Sequence, residues 1–306
     1  MITPPAANKN LLIEMLLLLT AVIWALNFSV VKMSLAEIDP LSFNGFRFAL
    51  ATATIWLALL RSGQSLKVEK GDWGTLIVLG LLGNLVYQML FIFGIDRTYS
   101  ANAAVMLGTI PVWVGLVSHF FASERLTVLK SIGVAFAFAG VATIMAGSET
   151  GLSLASDNLV GDLIIIVAAA VFGIYTVRSR KLLDRYTPLQ LSTLTMITGG
   201  LALVLAGIPS MITLDYSSVS AGSWGGVFYS GVFSIGFAFI IWNYGILRVG
   251  AVRTATYQNL VPVMGLVFGF IILGEKLSLL QYGGSALVII GIVMARWKRK
   301  YADRKV

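Results

Sequence analysis

The chain has no cysteine, a single histidine and few charges: 12% of its 306 residues are Asp, Glu, Lys or Arg. Each shortage excludes something. Without cysteine there are no disulfides and no thiolate metal sites, and redox chemistry says nothing about compartment. With His119 as the lone imidazole there is no HExxH pair and no family of Ser–His pairings. No catalytic residues, no metal site and no cofactor are expected, and the chain reads as something other than an enzyme. A soluble domain carries about 25% charged residues, twice the fraction found here. What fills the space is apolar: 58% of residues are hydrophobic, and the mean hydropathy is +0.88.

Runs near the length of a bilayer crossing recur along the whole chain. Polar breaks divide them into ten predicted helices near 11–33, 40–60, 73–95, 101–121, 128–147, 159–179, 188–209, 222–246, 251–273 and 279–297. The opening MITPPAANKN lacks the layout of a signal peptide, so the first run is read as a retained helix. Pro40 and Pro188 each stand at a predicted first turn, where the missing N–H costs nothing. The class is an all-α membrane protein. The net charge of +8 does not point to nucleic acid, because the basic residues sit in short loops and a Lys/Arg-rich tail. That is the pattern of cytoplasmic loops facing anionic headgroups. With both termini cytoplasmic, only Lys32, Arg47, Arg97 and Lys276 of the 22 basic residues fall toward the outside.

The second half repeats the first. At a constant offset of 151, Gly94 falls on Gly245, Arg97 on Arg248, Ala104 on Ala255, Pro111 on Pro262, Glu124 on Glu275 and Gly140 on Gly291. Near the second helix the offset is 148, where Pro40-Leu41 matches Pro188-Leu189. Residues 1–151 and 152–306 therefore read as two five-helix units. An odd number of spans forces the second copy to insert upside down, and inverted repeats around a midplane site are transporter architecture. Inversion also places Glu124-Arg125 and Glu275-Lys276 at opposite faces, as a gate or hinge would require; ordinary interfacial anchoring is the plainer account of either pair alone.

At these residues the chain resembles the drug/metabolite transporter superfamily, specifically its ten-helix EamA-like members. The parts that carry the resemblance are Trp24-Ala25-Leu26-Asn27-Phe28 with Lys32, then Pro111 and Glu124, and their counterparts Phe172-Gly173-Ile174-Tyr175, Pro262 and Glu275. Within the family the chain is most similar to bacterial aromatic amino acid exporters of the inner membrane. The resemblance implies two inverted five-helix repeats, a substrate cavity between them, alternating access, and function as a monomer in the lipid bilayer. It implies a small-molecule partner, an aromatic or neutral amino acid, and no nucleic acid. The alternative is a carrier of drugs or other metabolites, including nucleotide sugars; phosphates would call for several basic residues in the cavity, and Arg47 alone is a candidate. A channel is a more remote reading.

In lipid a polar side chain must face a partner helix or a wet cavity. Helical spacing puts Asn84, Tyr87, Gln88 and Phe91 on one face, and Thr254, Tyr257, Gln258 and Val261 on its counterpart. Asn102, Met106, Thr109 and Trp113 form a third stripe. Trp24, Asn27, Phe28, Phe172, Tyr175, Phe237, Trp242, Asn243 and Tyr244 complete a set in which neutral amides lie among aromatic rings. That set suits a ligand with an apolar body and a few polar groups; for each residue alone, helix-to-helix bonding or core packing is the blander reading. Pro111 and Pro262 are expected mid-helix, freeing the carbonyls of Leu107 and Gln258 and marking bending points. Arg47 lies about two turns inside its helix. It is expected to snorkel to the headgroups, with attraction of a carboxylate as the other reading. His119 is expected to pack between helices. No acid is expected at the midplane, Glu14 and Asp162 lying within about a turn of helix ends, so coupling to protons is not expected.

Overall fold

The computed structural model describes residues 7–121, 128–147 and 157–296. Apart from a 3-10 turn at Tyr216–Ser218, its helical elements fall into ten segments, here α1 (Ala7–Ser34), α2 (Pro40–Ser62), α3 (Lys70–Arg97), α4 (100–121), α5 (Val128–Ala146), α6 (Asp157–Leu182), α7 (Pro188–Thr213), α8 (Ala221–Val249), α9 (Ala251–Leu273) and α10 (Leu279–Arg296). There is no strand among the described residues. Eight segments are long and apolar enough to cross a membrane on those grounds alone, and α10 contains the shorter apolar helix Leu279–Gly291. Large apolar side chains such as Leu57, Ile212 and Phe270 stand exposed around the outside, which is the surface a lipid-embedded bundle presents. Glu124 lies outside the described residues.

Local sequence sets the helix ends. Asp39 caps α2 by accepting from the N–H groups of Leu41 and Ser42, with Pro40 at the first position. Thr187 caps α7 in a capping box with Gln190, with Pro188 in the matching place. The halves then pack as a twofold pattern demands. α1 packs on α9 as α6 packs on α4, and α1 on α8 as α6 on α3. The pairs α2–α7, α4–α9 and α5–α10 meet across the axis. The tightest crossings use glycine. A Cβ on Gly199 would lie 1.8 Å from the carbonyl oxygen of Gly80. One on Gly231 would lie 2.6 Å from that of Arg47.

Three helices take up π geometry over part of their length. π-helical turns occupy Leu81–Val86 in α3, Met196–Gly200 in α7 and Tyr229–Phe237 in α8. The α3 and α8 turns overlap at the offset of the repeat. A π turn widens the helix and changes which residues share a face beyond it. α4 is broken rather than bent: one helix ends at Leu107, another begins at Ile110, and the Thr109 hydroxyl donates to the Met106 carbonyl at 2.6 Å. Pro111 is thus the second residue of a new helix, not a mid-helix kink. In α9 a 3-10 turn over Thr256–Asn259 precedes a helix starting at Leu260, so Pro262 lies in its first turn. The Gln258 carbonyl is not left free, since it accepts from the Leu260 N–H. The expectation of two prolines interrupting continuous helices is corrected to two prolines opening half-helices, the position that needs no N–H. The breaks meet, because the Pro262 ring fills the space where Gly108 has no side chain.

Candidate functional site

A cavity with about 450 Å³ of space between its atoms, part of it open to the outside, lies among α1, α2, α3, α4, α6, α8 and α9. Of the residues expected from sequence, Trp24, Asn27, Tyr87, Gln88 and Gln258 line it, together with Phe28, Phe91, Phe172 and Val261 from the same stripes. Ser234, Ile235 and Phe239 come from α8, and Leu107 and Ile110 from the two sides of the α4 break. The rings form one connected wall. Trp24 meets Phe172 edge-on at 6.1 Å, Phe172 lies 4.7 Å from Tyr87, and Phe28 meets Phe91 at 5.7 Å. The Trp24 indole N–H is fixed by the Ser234 carbonyl at 2.8 Å.

Other expected residues stand behind this wall. Tyr175 fits its ring into the notch left by Gly83 and shares a hydrogen bond with Asn243. Asn243 also donates to the Ser192 hydroxyl at 2.8 Å, and Asn84 donates to the Thr195 carbonyl at 3.0 Å. These amides join helices. Trp242 is 1% exposed and lies 5.1 Å from Trp24, so it supports a wall residue from behind. Met106 and Thr109 are buried at the α4 break, and Trp113 packs against the backbone at Gly173. Tyr257 is half-buried and does not line the cavity. Phe237 is a correction. It is exposed on the outer surface beside Phe233, because the π turn ending at Phe237 shifts the cavity face to Ser234, Ile235 and Phe239.

Arg47 is the larger correction. It does not snorkel: it is 1% exposed and borders the cavity. Its Nε donates to Asn44 Oδ1 at 2.7 Å, Nη1 to Ser230 Oγ at 3.1 Å and Nη2 to Gln88 Oε1 at 2.8 Å. Phe43, Phe48 and Phe91 offer ring faces at 5.2, 5.8 and 5.4 Å. Asn44 donates in turn to the Gln88 carbonyl, so α2 and α3 are tied beside the guanidinium. The sequence signal for burial was Asn44 one turn before Arg47. Its partner Ser230 was hidden by the π turn that carries it.

Both ends of the bundle are tied by polar groups. At one end Glu275 reaches from the α9–α10 turn to α4, accepting from the N–H groups of Ser100 and Ala101 at 2.8 and 3.0 Å and from the Ser100 hydroxyl. Nearby, Lys32 donates to the carbonyls of Ile95 and Asp96 that end α3. Asp162, expected near a helix end, is fully buried there and accepts from Thr98 Oγ1 at 2.6 Å and Asn102 Nδ2 at 3.4 Å. At the opposite end Arg185 pairs with Asp72 at 2.7 Å, and the Tyr186 hydroxyl donates to the same carboxylate. Burial pushes the Tyr186 hydroxyl above its ordinary value, so it stays a donor. Arg253 and Glu14 pair between α9 and α1. His119 is half-buried in α4, and its ring meets that of its neighbour Phe120 in the same helix edge-on at 5.2 Å.

Known proteins place this arrangement. The sequence model of the EamA-like transporter family matches twice, at residues 11–146 and 159–297. An uncharacterized transporter of Archaeoglobus fulgidus is 30% identical over 92% of this chain and 98% of its own. The uncharacterized transporter YyaM of Bacillus subtilis is 29% identical over 94% of each. A protein named a probable terminal-alkyne amino-acid exporter, from Streptantibioticus cattleyicolor, is 27% identical over 91% of each. A solved crystal structure superimposes with a TM-score of 0.67 at 20% identity, over 92% of this chain and 95% of the other, which speaks to the fold alone. Ten helices in two repeated halves, matched by the family in both, leave one conclusion: the chain is a multi-pass membrane protein that belongs to the EamA-like transporter family, within the drug/metabolite transporter superfamily.

Proposed function

We propose that this transporter exports aromatic and other neutral amino acids across the inner membrane of a bacterial cell, as a monomer with both termini in the cytoplasm. The two five-helix repeats, 1–151 and 152–306, would expose the cavity to each side in turn. The observation that carries the substrate class is the make-up of the cavity wall. Trp24, Tyr87, Phe91, Phe172 and Phe239 line the cavity with aromatic rings that suit an apolar side chain. Each well-placed ring pair contributes about 0.5–1.5 kcal/mol beyond area burial. Among them Asn27 Oδ1 is buried with no hydrogen-bond partner. A buried unsatisfied oxygen costs about 1–3 kcal/mol, and a substrate ammonium group would remove that cost. The exporter name of the Streptantibioticus relative supports the same class.

The test is efflux of labelled phenylalanine, tryptophan and leucine from loaded proteoliposomes, with glucose and a nucleotide sugar as comparison cargo. Saturable efflux of the amino acids with counterflow is expected; efflux of nucleotide sugar alone would overturn the proposal. We also propose that transport does not require a proton gradient. Asp162 is held by Thr98 and Asn102 and does not line the cavity. Rates should match with and without a pH difference, and strict dependence on inward proton flow would refute this.

A further inference from the structure

Arg47 raises a question that helix packing does not answer. A guanidinium in the membrane interior is costly, and in folded bundles it is retained where it meets an anion or a wet cavity. Among the described residues Arg47 meets no anion. All three acceptors, Asn44 Oδ1, Ser230 Oγ and Gln88 Oε1, are neutral. A guanidinium has five N–H donors, and these three bonds leave one N–H on each terminal nitrogen. Phe43, Phe48 and Phe91 hold the plane of the group while leaving its charge uncancelled. For cross-bracing α2, α3 and α8 an uncharged amide would serve at lower desolvation cost.

We infer that Arg47 is the carboxylate anchor of the transport site, and that the cavity requires a carboxylate on its substrate. This rests on the proposed function and deepens it. Arginine presents paired N–H groups that fit two carboxylate oxygens, and Gln88 Oε1 holds one terminal nitrogen in place beside the cavity. The two halves differ here. At the offset of 148 Arg47 falls on Thr195, whose hydroxyl donates to the carbonyl of Leu191 within its own helix. One cation therefore serves both halves, and the substrate's charged end has a single place to dock.

The experiment is equilibrium binding to purified full-length protein of matched pairs: L-phenylalanine with L-phenylalaninamide, L-leucine with L-leucinamide, and 3-phenylpropanoate with phenethylamine. The wild-type protein should bind each carboxylate at least about tenfold more tightly than its partner, the value of one charge-assisted contact. Arg47→Gln should erase that preference. Arg47→Lys, which keeps the charge but loses the fork, should restore part of it. Should Arg47→Gln fail to fold, Gln88→Glu decides: it sets an internal carboxylate 2.8 Å from Nη2. Gln88→Glu should keep or raise the melting temperature while abolishing the preference. Retention of the preference in Arg47→Gln or Gln88→Glu overturns the inference. So does equal binding of acid and amide by the wild type, a result that would leave the amino-acid-like reading of the aromatic cavity standing. Carboxylate preference in the aliphatic pair without binding of the aromatic pair would support Arg47 and remove the aromatic reading.

Discussion

Removing the Glu275 carboxylate should loosen the end of the bundle it ties. The first residues of α4 have N–H groups with no intrahelical partner, and Tyr99 at the cap position supplies no side-chain bond to them. Glu275 satisfies Ser100 and Ala101 from another helix, and adds the Ser100 hydroxyl. A lost capping interaction costs about 0.5–2 kcal/mol. The charge at a helix N-terminus adds about 0.3–1 kcal/mol. Glu275 is half-buried, so the sum is taken near the middle of its range, about 2 kcal/mol for Glu275→Ala, which corresponds to about 30-fold in an opening equilibrium. Glu275→Gln keeps an acceptor but loses the charge and should fall between. Because the chain has no cysteine, a single Ile235→Cys reporter on the cavity wall gives labelling without background. The labelling rate by a membrane-impermeant maleimide from the Glu275 side should rise by that factor in Glu275→Ala. Gly269→Ala offers an independent check. Its Cβ would stand 2.6 Å from Glu275 Oε2, so it should displace the carboxylate and reproduce part of the effect. A rate within twofold of the parent in Glu275→Ala would refute the reasoning.

Other consequences follow from named contacts. Gly199→Ala places a methyl 1.8 Å from a backbone carbonyl that cannot rotate away, whereas the nearest obstacle to Gly80→Ala is the Thr198 hydroxyl. Overpacking costs about 1–3 kcal/mol, so Gly199→Ala should lower the melting temperature in detergent, and by more than Gly80→Ala does. Trp24→Ala removes a ring and the bond to the Ser234 carbonyl; it should weaken phenylalanine binding by more than tenfold while leaving leucine within about threefold, read by the same binding assay. The carboxyls of Glu37 and Asp215, in the turns outside the spans, are held below their ordinary values by hydrogen bonds from Ser220 and Ser217. Depressed carboxyls stabilise fully above the ordinary carboxylate range and lose that contribution as pH falls through their lowered values. Hydrogen exchange across 214–220 should therefore quicken, relative to a neutral-pH reference corrected for intrinsic rates, only in acid below about 4.

The fold was legible because lipid leaves few options. Apolar runs, Pro40 and Pro188 at first turns, and the constant offset between halves needed no knowledge of packing. The site was legible where α geometry holds: Tyr87, Gln88 and Phe91 follow the π turn of α3 and share the face that spacing assigned them. It was obscured where the geometry changes. Asn84 lies inside that turn and bonds to α7 instead, and Phe237 ends the longer turn of α8 and faces outward. No local signal in Tyr229–Phe237 announces an i→i+5 turn. Arg47 was misjudged for another reason. Snorkelling is the general habit of such a residue, and its burial depends on Ser230 and Gln88, which sequence does not place beside it.

The glycine crossings bear on how cargo passes the membrane. Gly80 rests against Gly199, and Gly231, its counterpart at the offset of 151, rests against the carbonyl of Arg47. Such close approach of backbone leaves little side chain to slide or rotate, so on the proposed cycle these crossings would act as fulcrums between the halves. On the proposed cycle the ends of the helices swing while the fulcrums stay put. Arg47 is built into one of them. A carboxylate docked there would not be carried across the bilayer; it would hold its depth while the barrier shifted from one side of it to the other.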